Sequence, residues 1–459
     1  MFSLKEILAS TGGKLLQSGS HSSFTGISTD SRRIKKGELF IPIIGNNFDG
    51  HKFISSALKK GASGSLTAKR VKIDAKCKFL IKVKDTLKAF HDIALSRRKR
   101  FLPAGRHGKL PVIGITGSSG KTTTKDMLAS ILAKAGKTLK TEENYNNEIG
   151  VPQTLLKLNK SFKFAVIEMA MQRLKEIEAL ARIALPDIAV ITNVGIAHFS
   201  RLGSEDNIAK AKSEILKFQK KKGVAVLPAD DKYFGFLKRR TKGKVLSFGI
   251  DSDCDVRARE IRFEMDSSVF AIETGKYSIL IELPLPGKYN IYDALAAAAA
   301  AYALGIRPAL IKKGLESFRP SGKRLNIIMT RHLRIIDDTY NANPDSMAAS
   351  LNILENYPGR RIAVLGDMLE LGSIARKSHE KIGELAANLN IDALITVGEL
   401  GRYLAMSAKG NGLSNSRSAH SNKEAIKLLK KILKPNDTVL VKGSRGMKME
   451  QIVESIKHA

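Results

Sequence analysis

The central part of the chain alternates between short apolar runs and longer segments in which apolar residues recur with helical spacing. The apolar runs stand at residues 112–115, 165–168 and 188–192. After the first run, apolar residues within 127–132 share one helix face, and Gly136 is placed to end that helix. Strands buried on both faces of a parallel sheet give this pattern because helices cover the sheet on each side. We therefore predict an α/β domain with a parallel sheet.

A similar alternation returns in the last third of the chain. The central part closes with an apolar run at 279–283 and an alanine-rich helix at 294–304. Beyond residue 319, short apolar runs separated by helical segments predict further strands, at residues 335–336, 363–365, 394–397 and 439–441. This part of the chain is therefore predicted to form a smaller, Rossmann-like α/β domain.

The first hundred residues mix short strands and turns, and they end in a basic segment with Pro and Gly. This segment, residues 98–108, is typical of a linker. A length of 459 residues also favours about three domains. We predict an α/β protein of three domains, with the bounds 1–104, 105–318 and 319–459.

The composition narrows the functional classes. With 43% hydrophobic residues the chain can bury several cores, yet no apolar run approaches the ~18 residues of a membrane span. The first residues lack a basic region followed by a long apolar segment, so we expect no secretory signal. Cys77 and Cys254 stand far apart, which predicts free thiols in a cytoplasmic protein.

The net charge of the chain bears on the class of partner that it could bind. The chain has 77 Lys and Arg against 44 Asp and Glu, a net charge of +33, which suits nucleic acid, an anionic membrane surface or acidic small substrates. The basic residues lie in short runs such as 97–100 and 217–222, and the few aromatic residues are not interleaved with them as a base-stacking surface requires. We favour a solvated basic surface and expect no nucleic-acid partner.

A glycine-rich loop follows the first central strand. Residues 114–124 read GITGSSGKTTT. Backbone N–H groups of such a loop surround phosphate oxygens, Lys121 adds a positive charge, and Thr122 offers a hydroxyl to Mg²⁺. The usual spacing has glycine at 115, where this chain has Ile115, so a plain Gly/Ser turn is the alternative. The strand and helix on either side favour a triphosphate loop whose ATP contacts are Thr116, Gly117, Ser118, Ser119, Gly120, Lys121 and Thr122.

Two polar residues follow the neighbouring strands. Glu168 ends the run at 165–168, and His198 lies just beyond the run at 188–192. Ligands of open α/β sheets bind at the carboxyl ends of the strands, so we expect Glu168 to bind Mg²⁺ together with Thr122. His198 alone would be taken for an ordinary loop histidine, but its position after the loop and Glu168 favours a metal ligand.

Two further segments complete a known pattern. Residues 141–150 read TEENYNNEIG and residues 209–215 read AKAKSEI. With the phosphate loop, they resemble the Mur ligases, ATP-dependent amide-forming enzymes that assemble the peptide stem of the bacterial cell-wall precursor. The resemblance implies an ATP contact at Asn144 and a carbamylated Lys212, whose alternative is an exposed helical lysine.

The same resemblance implies a catalytic set and a site for two Mg²⁺ ions. The catalytic residues would be Lys121, Glu168, His198 and Lys212. The metal ligands would be Thr122, Glu168, His198 and the carbamylated Lys212.

The last domain resembles one branch of this family. Residues 337–347 read DDTYNANPDSM, residues 365–372 read LGDMLELG and are followed by His379, and residues 441–447 read VKGSRGM. These motifs resemble the enzymes that add D-alanyl-D-alanine to UDP-N-acetylmuramoyl-tripeptide. The Asp-Asn-Pro-Arg motif expected of the sibling that adds the third stem residue does not occur in the sequence.

The N-terminal segments 28–33 (STDSRR), 37–42 (GELFIP) and 49–51 (DGH) are similar to the uridine-nucleotide domain of the family. The resemblance thus extends over all three domains. The substrate contacts that it implies are Ser31, Arg32, Gly45, Asn46, Asn341, Asn343, Lys442, Ser444 and Arg445. A solvated surface arginine is the alternative for Arg445.

Two positions depart from the family pattern. Where the family has Gly-x-His-Asn-x-x-Asn, residues 287–293 read GKYNIYD, so Tyr289 and Asp293 replace the expected His and Asn. Asn290 keeps the implied adenine contact. The resemblance also assigns nucleotide contacts to Arg324 and, at the ribose, to Asp338.

The resemblance implies a reaction through an acyl phosphate, catalysed by a cytoplasmic monomer whose domains close over the substrates. Two alternatives stay open. One is a folylpolyglutamate synthase-like ligase or another amino-acid-adding Mur enzyme, against which the C-terminal motifs argue. The other is a basic ATP-binding protein that uses ATP as a switch on nucleic acid.

Overall fold

A computed structural model describes residues 1–19, 23–45, 48–71, 78–102, 109–219, 222–320 and 322–457. Asn46, Cys77 and the 103–108 part of the predicted linker lie outside these residues. In the described chain, each of the three predicted domains contains its own β-sheet with helices around it. No helix of this described part is long and apolar enough to cross a membrane. The predicted α/β class is confirmed.

The chain forms two structural units. The first comprises Met1–Pro111, Thr141–Lys163 and Arg182–Leu185, and the second comprises Val112–Lys140, Phe164–Ala181 and Pro186–Ala459. The second unit therefore contains both the central sheet and the C-terminal sheet.

The first unit is built on short strands. Its N-terminal segment contains β1 (Phe2–Ser3), β2 (Lys14–Gln17), β3 (Ser23–Phe24), β4 (Ile27–Ser28), β5 (Leu39–Phe40), β6 (Gly64–Thr67) and β7 (Phe79–Lys82), with the helices α1 (Leu4–Thr11), α2 (Ile54–Lys59) and α3 (Thr86–Lys99). The main sheet has the order β2, β7, β6, β5, β4 and is parallel except for β2. Its apolar core includes Leu39, Leu66, Ile81 and Phe90, all of which are fully buried.

The central segment carries nine strands and eight helices in its described residues. The strands are β8 (Val112–Thr116), β9 (Thr138–Lys140), β10 (Phe164–Glu168), β11 (Ile188–Ile191), β12 (Val224–Pro228), β13 (Lys244–Gly249), β14 (Val256–Phe263), β15 (Ser268–Thr274) and β16 (Ser278–Leu283). The helices are α4 (Lys121–Ala133), α5 (Gly150–Leu156), α6 (Glu176–Ala184), α7 (Phe199–Leu202), α8 (Glu205–Ser213), α9 (Phe234–Arg240), α10 (Lys288–Ala303) and α11 (Pro308–Glu316).

The three predicted strands of this segment are neighbours in the order β11, β8, β10, and they are parallel. Glu168 stands opposite Ile115 in this register, so the carboxyl ends meet at one edge. The predicted parallel sheet is confirmed. At the other end of the sheet, β15 and β16 pair antiparallel, a direction that the pattern did not predict. Exposed and buried residues alternate along β16 because one of its faces is solvated.

The alanine-rich helix is longer than predicted. α10 begins at Lys288 rather than at 294, directly after Gly287. Residues 294–301 are at most 2% exposed, because the helix packs on α4 and on the central strands. Small side chains on every face permit this close packing, which supports the helix that follows the phosphate loop.

The C-terminal segment repeats the layered arrangement. Its strands are β17 (Asn326–Met329), β18 (Leu333–Asp338), β19 (Arg361–Gly366), β20 (Ala393–Val397), β21 (Ser416–Ala419) and β22 (Asp437–Lys442), and its helices are α12 (Pro344–Glu355), α13 (Ala375–Asn388), α14 (Gly401–Gly410), α15 (Asn422–Ile432) and α16 (Glu450–Ile456). The sheet order is β17, β18, β22, β19, β20, β21, and only β17 is antiparallel. Each face of the sheet buries its own apolar core.

Helix α11 supports α4 from behind at a glycine. A Cβ on Gly314 would collide with the backbone of Ile131, and the Ser130 hydroxyl donates to the Gly314 carbonyl at 2.7 Å. The two helices therefore approach each other more closely than any side chain at 314 permits.

We expect Gly314→Ala to lower the free energy of unfolding by about 1–3 kcal/mol, because the added methyl group forces α11 away from α4. The control is Gly410→Ala, at the exposed end of α14, where a Cβ meets nothing within 4 Å and alanine is neutral or slightly stabilising. Calorimetric melting of the two variants checks this. Equal melting temperatures would contradict the close contact.

Candidate active site

The predicted phosphate loop joins β8 to α4 at the carboxyl edge of the central sheet. Gly120 caps the helix with φ +78°, in the left-handed region. A Cβ at this position would collide with the Asp293 carboxylate, and one at Gly117 would collide with the Thr192 hydroxyl. The loop therefore needs glycine at both positions, because neighbouring elements lie directly against its backbone.

Asn193, just after β11, shapes the same loop. Its Oδ1 accepts hydrogen bonds from the backbone N–H groups of Ser118 at 3.1 Å and Ser119 at 2.9 Å. The Thr192 hydroxyl donates to the Ser119 carbonyl at 2.6 Å. Sequence reasoning gave neither residue a role, although Thr192 ends the predicted strand at 188–192 and Asn193 directly follows it.

Lys121 folds back along the loop. Its Nζ donates to the carbonyls of Gly117 at 2.9 Å and Ser118 at 3.1 Å. Burial lowers the pKa of Lys121, while the carboxylates of Glu168 and Asp293 oppose that shift. The lysine therefore lies within the electrostatic field of the groups around the loop.

Thr122 and Glu168 form the oxygen pair predicted for a metal ion. The Thr122 hydroxyl donates to Glu168 Oε2 at 2.9 Å, and Glu168 is only 1% exposed. Lys125 Nζ lies 3.6 Å from the same carboxylate oxygen and 3.5 Å from Asp126. A hydroxyl and a carboxylate in contact are ligands that Mg²⁺ accepts beside substrate phosphates, so these residues fit the predicted ion.

Lys212 is buried rather than exposed. It lies on α8 and is 1% exposed, so the alternative of an exposed helical lysine is wrong. Burial and, secondarily, the charge of Lys121 lower the pKa of Lys212 well below that of an ordinary lysine. Burial therefore favours the neutral form of this amine, which lies close enough to Lys121 of the phosphate loop to be affected by its charge.

His198 stands at the start of α7 with φ +58°. Its Nδ1 lies 2.6 Å from Glu370 Oε2, a contact that the sequence did not predict. Burial lowers the pKa of His198, and the charges of Lys212 and Lys121 add to this shift. Among the described residues, no three His, Cys, Asp or Glu side chains cluster closely enough to hold a metal ion. A metal ion here would therefore take part of its ligands from other groups, such as the Thr122 hydroxyl or substrate phosphate oxygens.

Helix α10 places Asp293, one of the two departures from the family pattern, against the phosphate loop. Asp293 accepts a hydrogen bond from Thr124 at 3.1 Å, and burial raises its pKa to about 8. Asn290 is buried and donates to the Pro286 carbonyl at 2.6 Å, whereas Tyr289 is 48% exposed.

Arg324 reaches toward the loop from the start of the C-terminal segment. Its guanidinium stacks on the Tyr340 ring, 3.6 Å from the ring centroid. Its charge lowers the pKa of both Lys121 and Asp293. The structure thus brings the predicted nucleotide contact Arg324 close to the phosphate loop.

Several predicted C-terminal residues form one buried cluster. Asp338 and Lys442 are register partners on β18 and β22, and their side chains form an ion pair. The Lys442 ammonium also donates to the Asn341 carbonyl at 3.2 Å, and the Ser350 hydroxyl donates to Asp338 at 2.6 Å. Asp338 is therefore held by a neighbouring strand through Lys442 and by helix α12 through Ser350.

The adjoining turn contains the other predicted C-terminal contacts. The Ser444 hydroxyl accepts from the Leu369 N–H at 2.8 Å, and the Arg445 N–H donates to Asn341 Oδ1 at 3.2 Å. The Arg445 side chain is 59% exposed and pairs with Glu450 at 2.9 Å. Ser444 is thus built into the turn, whereas the Arg445 guanidinium lies at the surface.

The remaining predicted contacts belong to the first unit. Arg32 forms a two-pronged ion pair with Asp30, at 3.0 and 2.9 Å, which lowers the pKa of that carboxyl. The Ser31 carbonyl accepts from Lys60 at 3.3 Å, and the Gly45 N–H donates to the Phe48 carbonyl at 2.9 Å. Asn144 lies in the same unit, in the turn before α5.

Within the second unit, C-terminal residues contact the phosphate-loop edge directly. Asn343 Nδ2 donates to the Ser119 hydroxyl at 3.0 Å, and the Ile196 N–H donates to Asp345 Oδ2 at 3.3 Å. Asn343 also caps α12. The C-terminal motif Asn-Ala-Asn-Pro-Asp is thereby placed against the loop, which was predicted to hold ATP.

Comparison with known proteins agrees with this arrangement. The Mur ligase family catalytic domain matches residues 23–98, the Mur ligase middle domain matches 115–301, and the Mur ligase glutamate ligase domain matches 323–445. The UDP-N-acetylmuramoyl-tripeptide--D-alanyl-D-alanine ligase of Bacillus subtilis is 36% identical over 94% of this chain and 93% of its own. The chain belongs to the Mur ligase family.

Solved structures of this family share the fold. A MurF crystal structure from Acinetobacter baumannii is 33% identical, with a TM-score of 0.92 over 99% of this chain and 98% of that chain. MurF from Thermotoga maritima, solved in complex with ADP, is 27% identical, with a TM-score of 0.82 over 94% of this chain and 97% of that chain. The resemblance to the Mur ligases and the three-domain fold are confirmed, and the exact domain bounds stay a prediction.

We expect Lys121→Ala to reduce ATP-dependent phosphate release by on the order of 10²-fold or more, because one charge positioned on the phosphates is lost. The fold should be retained, since Lys121 contacts loop carbonyls rather than an apolar core. Lys134→Ala, at the exposed end of the same helix, is the control. Near-normal turnover of Lys121→Ala would rule out the assigned loop.

Proposed function

We propose that this protein is the ATP-dependent ligase that joins D-alanyl-D-alanine to UDP-N-acetylmuramoyl-tripeptide. The observation that carries the proposal is the hydrogen bond from Asn343 to Ser119, because it joins the motif of the dipeptide-adding enzymes to the phosphate loop. The full-length similarity to the Bacillus subtilis enzyme supports the same assignment.

The chemistry of the leaving group sets the order of steps. A carboxylate does not react with an amine, because oxide is too poor a leaving group. The terminal carboxylate oxygen of the tripeptide first attacks the γ-phosphorus of ATP, so that the bond to ADP breaks and an acyl phosphate forms. The amine of D-alanyl-D-alanine then attacks the acyl carbon and loses a proton. Inorganic phosphate leaves, and an amide remains.

The residues at the loop suit the first step. Lys121 and the backbone N–H groups of the loop hold the phosphates and neutralise charge that develops during phosphoryl transfer. Two Mg²⁺ ions, when bound, would supply further charge neutralisation. Thr122 and Glu168 would hold the first ion, and His198 and Lys212 would hold the second together with Glu168.

Burial of Lys212 supports the proposed carbamate. A carbamate forms when an uncharged amine attacks carbon dioxide and releases a proton, so the lysine must first be neutral. Burial and Lys121 lower the Lys212 pKa, which favours that neutral amine. The carbamate would then offer a negatively charged oxygen ligand to a second Mg²⁺.

The remaining contacts complete the proposal. ATP would also contact Asn144, Asn290, Arg324 and Asp338. The UDP-linked substrate would bind Ser31, Arg32 and Gly45 in the domain 1–104, and the dipeptide would bind in the domain 319–459 near Asn341, Asn343, Lys442, Ser444 and Arg445. We propose a cytoplasmic monomer.

We expect Lys212→Ala to be nearly inactive and to regain part of its activity with added short carboxylates such as acetate or formate. These anions can occupy the space that the carbamate would fill beside Glu168. Lys210→Ala, on the exposed face of the same helix, should keep wild-type turnover. Turnover is measured with saturating ATP, Mg²⁺ and both substrates. Full activity of Lys212→Ala would disprove the carbamate.

We expect rapid amide formation with D-alanyl-D-alanine and little with L-lysine or diaminopimelate. A site built to pair the distant carboxylate of a dipeptide leaves buried polar groups unpaired when a single amino acid binds, which can reach ~10⁴-fold in discrimination. The measurement is phosphate release with the UDP-linked tripeptide, ATP and each amine in turn. Equal rates with a free diamino acid would assign the chain to the sibling ligase, and no rate with any amine would overturn the ligase assignment.

A further inference from the structure

Glu370 of the C-terminal domain contacts residues 198–200, in the segment after β11, through both its side chain and its main chain. The Glu370 side chain meets His198 Nδ1 at 2.6 Å, and its backbone carbonyl accepts from the Ser200 N–H at 3.0 Å. Gly372 lies two residues further on, and a Cβ there would approach Ser200 to 3.1 Å. The side chain and the main chain of residues 370–372 thus both contact residues 198–200.

The contact also decides which nitrogen of the imidazole is free. A carboxylate at Nδ1 fixes the N–H on that atom and leaves the lone pair on Nε2. The charges of Lys121 and Lys212 act on this imidazole, so the ring lies within the field of the phosphate-loop groups. Carboxylates that hold the second nitrogen of a metal-binding histidine in this way orient the ring.

A contribution to stability does not explain the pair. The Glu370 side chain is 40% exposed and that of His198 is 24% exposed, and exposed ion pairs contribute little to folding. Both residues also adopt left-handed backbone conformations, at φ +64° and +58°, which non-glycine residues rarely adopt. Two residues in disfavoured backbone conformations thus meet at a contact that is partly exposed to solvent.

We propose that Glu370 is a positioning residue, which orients His198 for the second Mg²⁺ only when the C-terminal domain is closed on the phosphate loop. This inference rests on the proposed metal ligands and extends them. Asn343 and Asp345 of the same domain also contact this edge. Assembly of the metal site is thereby coupled to domain closure.

The test uses the full chain and Mn²⁺ as the probe, with binding followed by electron paramagnetic resonance in the presence of a non-hydrolysable ATP analogue and the UDP-linked tripeptide. We expect Glu370→Ala to weaken the weaker of two Mn²⁺ sites by about 10–100-fold, as loss of an outer-shell partner does, and to leave the tighter site unchanged. Glu370→Gln keeps an oxygen that accepts from Nδ1 and should retain most of the affinity. Glu384→Ala, on the exposed face of α13, is the matched control.

A double-mutant cycle then separates orientation of His198 from a merely structural role. In the His198→Ala background, Glu370→Ala should cause no further loss of Mn²⁺ affinity, because the ring that it orients is gone. An unchanged second Mn²⁺ site in Glu370→Ala, or an equal loss in both backgrounds, would overturn the proposal. If Glu370→Ala does not fold, an affinity of Glu370→Gln as low as that of His198→Ala would also overturn it.

The proposed function can fail separately. A wild-type chain that forms no amide with D-alanyl-D-alanine contradicts the ligase assignment. A wild-type chain that forms the amide, combined with a Glu370→Ala variant of unchanged Mn²⁺ affinity, contradicts only the role of Glu370.

Discussion

The parallel register of β11, β8 and β10 is the constraint on which the candidate site depends. Because Glu168 stands opposite Ile115, the residues that follow each strand meet at the loop between β8 and α4. Neighbouring residues approach this loop so closely that a Cβ on Gly117 or Gly120 would collide with them. A slip of one residue in β10 would turn Glu168 to the opposite face of the sheet, and Thr122 would lose the carboxylate to which it donates.

The charges at this edge follow from that geometry. Burial lowers the pKa of both Lys121 and Lys212; the charge of Arg324 adds to the first shift, and the charge of Lys121 adds to the second. Cations held together away from water repel one another, and an anionic polyphosphate relieves that repulsion. The positive charges of Lys121 and Arg324 therefore make this edge a favourable place for ATP. A carbamate on Lys212 would add a negative charge to this edge.

Sequence patterns predicted the parts of the site that are local in the chain. The strand β8, the phosphate loop, Thr122 and Glu168 could be recognised from the apolar runs and from the glycine-rich motif between them. Contacts between domains leave no such local pattern in the sequence. Asp345 and Glu370, for example, contact residues that are 149 and 172 positions away in the chain. The burial of Lys212 had a weak signal: Ile208, four residues earlier on α8, lies on the same helix face and is buried.

Asp293 shows how a departure from the family pattern is accommodated. Its position has Asn in the family pattern, but burial raises the pKa of Asp293 to about 8, so the neutral acid predominates at pH 7. A neutral acid is close to an amide in size, accepts from Thr124 at 3.1 Å and can still donate one hydrogen bond. Gly120, against which this side chain lies, thus meets an uncharged group that does not repel phosphate. Above pH 8 the ionised carboxylate of Asp293 predominates. The positive charges of Lys121 and Arg324 then partly offset its negative charge at the loop.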